Sequence, residues 1–242
     1  MTIDNKTLDS KSRPQQQHGG GILVNLLFNI IIPTVILSKF STDEYLGPMY
    51  SIVVALCFPI AYGIREYMTS HKANFFSILG VISVVLTGGM SLLQLDPQYI
   101  AIKEAAVPAA FGIATLISLK TRFPLVRTFL YNEQIMQVQK VTEALESHGN
   151  IKAFERKLVT ASYMIAGSFF LSSVLNYVLA KIVLVSQPGT TAFTEELGKM
   201  TALSFPVIAV PSTLVLMGAL WYLISQIQKL SHLKLEDIFD HA

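Results

Sequence analysis

Apolar positions in this chain run together in long blocks instead of alternating or recurring every third or fourth residue, and those blocks set the first reading. Six of them stand out, at residues 21–37, 46–64, 75–93, 100–119, 158–185 and 202–227. Each is long enough, or nearly so, for the roughly 20 residues that cross a hydrocarbon core. The pattern predicts an all-α membrane protein of six transmembrane helices. The polar intervals divide it further: a flexible tail at 1–20, four spans within 21–119, a loop at 120–157, two spans within 158–227, and a second tail at 228–242. Thr2 lacks the glycine that N-myristoylation requires, and the first span is expected to be an uncleaved anchor.

Six spans put both termini on one side, and the basic residues choose the side. Fourteen of the 18 Lys and Arg fall in the two tails and in the loops after spans 2 and 4, whereas Lys39, Lys103, Lys181 and Lys199 make four on the other side. Both termini are therefore expected in the cytoplasm. The 120–157 loop carries Ile135, Val138, Val141 and Leu145 at helical spacing, with Asn132 as the expected N-cap and Gly149 as the stop. An amphipathic cytoplasmic helix follows, resting on the membrane surface or on the other helices.

Composition agrees with this reading. Apolar residues make up 52% of the 242 and charged residues 14%, against about a quarter charged in soluble domains. Mean hydropathy is +0.51. A net charge of +2 gives no field suited to nucleic acid. The single Cys57 excludes an intramolecular disulfide and a cysteine-based zinc cage. The lipid bilayer is the expected partner, with other membrane proteins or a second copy as further possibilities.

Lys103 and Glu104 open the fourth span, about one turn inside its outer end, where charge is costly. Adjacent residues on a helix do not face each other, so each is expected to find its own partner. Lys103 has a long stem and is expected to reach water. Glu104 is shorter and slightly deeper; it sits either at a dry rim or in an interior cavity, where it would bind a cation or relay a proton. Asn25, Asn29 and Asn176 are amides inside apolar runs and are candidates to converge on such a cavity.

Small residues recur four apart in two spans. Span 5 has Ser168, Ser172, Asn176 and Ala180; span 4 has Ala101, Ala105 and Ala109, and then Ala106, Ala110, Ala114 and Ser118. These ladders are expected to pack helices closely, the second placing span 4 inside the bundle. Signs of catalysis are missing: there is no HExxH, Walker loop or GxSxG, and the five histidines all lie in tails or loops. The expectation is a non-enzyme with no cofactor and no metal.

The runs NLLFNIIIPTVILSKFS, VLTGGMSLL, IKEAAVPAAFG, LVTASYMIAGSFFLSSVLNYVLA and TEELGKMTALSFPVIAVPS resemble an uncharacterised group of bacterial multi-pass inner-membrane proteins. That group is similar to the intracellular septation protein A family, best in span 5, where Phe169, Phe170, Leu175, Asn176 and Tyr177 match an aromatic-rich helix containing asparagine. The longer loop after span 4 and the IKEAA segment depart from that family. The resemblance implies a bacterial inner membrane and a part in envelope maintenance or division, exercised through helix contacts. The other expectation is a transporter or channel for a small solute or ion, lined by Glu104 and the intramembrane asparagines.

Overall fold

The computed structural model describes residues 27–70, 75–121, 124–131 and 136–239. Asn25, Asn132 and Ile135, the whole of the tail at 1–20 and residues 240–242 of the second tail lie outside these residues. Everything regular within them is helical. The order is a π-helical turn, Leu27–Ile31, running into α1, Ile32–Lys39; then α2, Gly47–Ser70; α3, Phe75–Leu92; α4, Pro97–Ser118; α5, Leu125–Leu130; α6, Val138–Ser147; α7, Ile151–Val183; and α8, Thr191–Ser204. A second π-helical turn, Phe205–Ala209, joins α8 to α9, Val210–Ser231, and α10, Leu235–Ile238, follows.

Among the described residues, four helical stretches are long and apolar enough to cross a membrane: Gly47–Arg65, Pro97–Ser118, Ile151–Val183 and Thr191–Ser231. Leu27–Lys39 and Ile82–Leu92 are shorter apolar helices beside them. Exposed Tyr and Trp residues stand near the two ends of this bundle, as they do at membrane–water interfaces. Tyr45, Tyr50 and Tyr99 are exposed at one end, Tyr163 and Trp221 at the other. From Tyr163 to Lys181 on α7 a helix rises about 27 Å, close to the thickness of the hydrocarbon layer, about 30 Å.

Local chemistry explains where the helices begin. Asp96 caps α4 by accepting from the Gln98 amide at 2.7 Å, and Pro97 takes the first helical position, where its missing N–H costs nothing. Asp96-Pro97 is therefore a helix start, three residues before the apolar run at 100–119. Thr190 caps α8 through the Phe193 amide at 3.2 Å. The two π turns share a cause. Each ends two residues before a proline, Pro33 or Pro211. A proline ring clashes with the carbonyl four residues back, and one extra residue in the turn relieves the clash.

Two expected boundaries are corrected. The segment 151–157 is the start of α7 and not loop, because Lys152, Glu155, Arg156 and Lys157 lower its hydropathy without breaking the helix. Residues 191–201 belong to one helical run with span 6, so the loop before it is short.

The core has two parts. One joins α1, α2, the start of α4, the end of α7 and α8 around Leu37, Ile52, Ile100, Phe193 and Leu197. The other, at the opposite end, joins α6, α10, the start of α7 and the end of α9 around Val141, Leu145, Phe154, Leu223, Ile227 and Ile238. The amphipathic helix α6 thus rests on other helices. It starts at Val138, after Gln137, which makes no side-chain cap bond, and Gly149 ends it with φ +65°. Four links hold this end together. The Gln137 amide donates to the Ile238 carbonyl at 2.8 Å, and Lys140 pairs with Asp237 at 2.7 Å. Asn150 Nδ2 donates to the Leu230 carbonyl at 2.8 Å, and Tyr131 bonds Thr142 at 2.8 Å. Burial raises the Tyr131 phenol above its ordinary pKa, although the Thr142 bond and Arg127 oppose it.

Candidate functional site

The long antiparallel contact of α4 with α7 fixes the site. The Ser173 hydroxyl donates to the Ala105 carbonyl at 2.8 Å, Phe111 stacks on Phe169 with ring centroids 5.6 Å apart, and the Phe170 ring lies over Gly112. Ala101 is fully buried in this contact. The ladder Ala106, Ala110, Ala114 is not part of it: all three are exposed, so the expectation that they pack span 4 into the bundle is corrected. The physical reason is rotation. Each residue turns a helix by about 100°, so a ladder starting one residue after Ala105 faces away from α7. On α7, Ser168 reaches α9, donating to the Ser212 carbonyl at 2.6 Å. Ser172 serves its own helix, since Asn176 Nδ2 donates to its carbonyl at 2.8 Å. Ser173, the residue that binds α4, lay outside the ladder spacing.

With α4 so oriented, its charged pair points at α3. Lys103 is the buried member, 9% exposed, and Glu104 is 25% exposed. Lys103 Nζ donates to Glu104 Oε1 at 2.7 Å, to Ser83 Oγ at 2.9 Å, to Thr87 Oγ1 at 2.5 Å and to the Ser83 carbonyl at 3.2 Å. Thr87 Oγ1 lies 3.3 Å from Glu104 Oε1 and 3.1 Å from the Ser83 carbonyl, and its hydroxyl donates to one of them. Two expectations are thereby overturned. Lys103 does not reach for water, and the pair bond each other. The four-methylene stem of Lys103 spans the angle between neighbouring Cβ atoms, which a shorter side chain could not.

Glu104 opens on a cavity of about 280 Å³ between α1, α2, α3, α4, α7 and α8. Asn29 and Asn176 line it too, as do Ser83, Thr87, Thr201 and Ser204; the remaining wall is Ile, Leu, Val, Ala, Met, Pro and Gly88. Asn29 lies in the first π turn, and Ser204 immediately precedes the second. Such turns inside helices are frequent at functional sites. Thr201, Ser204, Ser83 and Thr87 carried no signal in the sequence, because single hydroxyls in apolar runs usually bond their own backbone. A second cavity of about 310 Å³ lies between Phe28, Cys57, Phe58, Ala61, Tyr62 and Arg65. Among the described residues no group of three or more His, Cys, Asp or Glu could hold a metal ion.

An all-helical bundle with long apolar helices, exposed Tyr and Trp near its two ends and a buried ion pair beside a mostly apolar cavity defines an integral, multi-pass membrane protein. Its relatives give the membrane. Over 113 residues the chain is 27% identical to the inner membrane-spanning protein YciB of Rickettsia akari (strain Hartford), which covers 47% of this chain and 53% of that protein. The YciB proteins of Rickettsia rickettsii (strain Sheila Smith) and Rickettsia conorii (strain ATCC VR-613 / Malish 7) are 28% identical over the same length. The chain spans about half the length of the curated relatives it matches. No family model matches the sequence. No solved structure matches the fold. The chain is a multi-pass protein of the inner membrane.

Proposed function

We propose that the chain crosses the inner membrane six times, with both termini in the cytoplasm, and that the cavity beside Glu104 binds a small solute in transit. The observation that carries this reading is the cavity itself. A helix bundle built only for packing fills its interior to close density. Here Glu104, Asn29, Asn176, Thr201 and Ser204 share one open volume. Amides and a carboxylate at membrane depth mark solute paths when they face a cavity. Prolines and irregular helical turns beside the volume fit the same pattern. The six-span topology rests on the apolar runs and on the fourteen-to-four division of basic residues.

Cysteine accessibility tests both parts. In a Cys57→Ser background, Thr201→Cys should react with a membrane-impermeant thiosulfonate applied to intact membranes, while Val215→Cys, on the exposed apolar surface of α9 away from the cavity, should not. Equal inertness at both positions would count decisively against a solute site. Cysteines at Gln98 and Glu195 should be labelled from the periplasmic side; labelling only from the cytoplasm would sink the topology.

A second reading is favoured by the resemblance of span 5 to septation protein A: a component of envelope maintenance or division acting through helix contacts. It predicts a fluorescent fusion that gathers at the septum, and an even distribution throughout division would remove it.

A further inference from the structure

The solute can be narrowed by asking what the cavity has left to offer, an inference that rests on the cavity being a binding site. The charge is already cancelled within the wall. Lys103 spends its protons on Glu104, Ser83 and Thr87, so it has none to give an incoming anion. Glu104 has one oxygen, Oε1, in the ion pair; no described residue donates to Oε2. Asn176 turns its Nδ2 back to Ser172, and no described residue donates to its Oδ1. Thr201 donates its hydroxyl to the Leu197 carbonyl and Ser204 to the Met200 carbonyl, which leaves their lone pairs for the cavity. The open functionality of these groups is acceptors; of the other polar residues lining the cavity, Asn29 takes part in an interaction of its own and Ser83 and Thr87 are bound to Lys103, and the rest of the wall is apolar.

Such a site wants a hydrogen-bond donor. An anion finds no donor in these four groups. A cation would meet Glu104, but with the Lys103 ammonium 2.7 Å from that same carboxylate. It would leave water for a site with no net charge, and desolvation of an ion is not recovered there. We infer that the cavity takes a small neutral molecule with an apolar body and a hydroxyl or N–H donor, held by Glu104 Oε2 and Asn176 Oδ1. A volume of about 280 Å³ lies at the small end of the range for small-molecule sites, about 300 Å³ and upward. That size suits one ring or a short chain.

Three probes of one shape separate the charge classes: 2-phenylethanol, phenethylamine at neutral pH, and phenylacetate. Each is titrated into the purified full-length protein in detergent, and Kd is read from the rise in unfolding midpoint. The expected result is binding of the alcohol at least about tenfold tighter than of either ion. That binding should weaken in Glu104→Gln. Because this variant strands Lys103 and can fail to fold, Asn176→Leu and Thr201→Val supply the same test with the ion pair intact. If the amine or the acid binds as tightly as the alcohol, the inference about neutrality is overturned and the binding site stands. Equal binding of the alcohol to wild type and to both Asn176→Leu and Thr201→Val also overturns it, because the molecule then sits elsewhere. If none of the three binds, the inference falls together with the proposed solute site.

Discussion

At the scale of single residues the ion pair of Lys103 with Glu104 has the most at stake. An ion held in low dielectric costs several kcal/mol unless its partner is present, whereas removing both partners can be neutral. Lys103→Met should therefore destabilise the protein by about 3–5 kcal/mol, and the double variant Lys103→Met, Glu104→Gln should recover most of that loss. Reversible unfolding in mixed detergent micelles measures both; a double variant as unstable as the single one would show that Lys103 acts through packing. Ser173→Ala should cost about 0.6–1.7 kcal/mol by loss of its bond to the Ala105 carbonyl, with Ser172→Ala smaller. The sequence singled out the charged pair because charge in an apolar run is conspicuous. It could not reveal which member was buried. That depended on Ser83 and Thr87, some twenty residues earlier on another helix, meeting the lysine head.

At the scale of elements, close crossings and end docking decide the geometry. The approach of α1 to α8 is set by Gly198. A Cβ there would lie 2.6 Å from Ser38 Oγ, 3.0 Å from Leu37 Cβ and 3.3 Å from the Thr34 carbonyl. Gly198→Ala should cost about 1–3 kcal/mol through overpacking, while Gly167→Ala, with nothing within 4 Å, should be neutral or better; the same unfolding assay compares them. At the other end, α10 is tied to α6 by Lys140 and Asp237. The Lys140 hydrogen bond and charge hold the Asp237 carboxyl below its ordinary pKa. A depressed carboxylate contributes above its unfolded pKa and loses that contribution as pH falls through the lower folded value. Hydrogen exchange of residues 235–239 should thus quicken, beyond its intrinsic pH dependence, as the solution is acidified below the usual carboxylate range, and Asp237→Asn should remove that step. The hydropathy blocks located α2, α3, α4 and α7 to within a few residues at most ends, because an apolar run and a membrane-spanning helix share a length. They missed α5 and the first turns of α7 and α8, where polar residues keep helical geometry outside the lipid.

At the scale of the whole molecule the two cores divide the work. One packs α6, α7, α9 and α10 at the end that carries the basic loops. The other surrounds the cavity at the end marked by Tyr45, Tyr50 and Tyr99. Extended α7 and the continuous run of α8 through the second π turn into α9 join the two, so the cavity wall is anchored to a firm base. Asn29 and Asn176 meet across this volume although 147 positions separate them. Spacing within one helix could nominate each of them, but only the packing of the first π turn and α1 against α2 and α8, with α8 in turn against α7, brings them to one place. The most direct test is a structure of the full chain in a lipid nanodisc. The expected result is six membrane-crossing helices, with an open volume beside Glu104 that holds water or non-protein density reaching Asn176. A bundle in which Leu56 and Met200 close that volume, leaving Glu104 against lipid headgroups, would contradict the solute site.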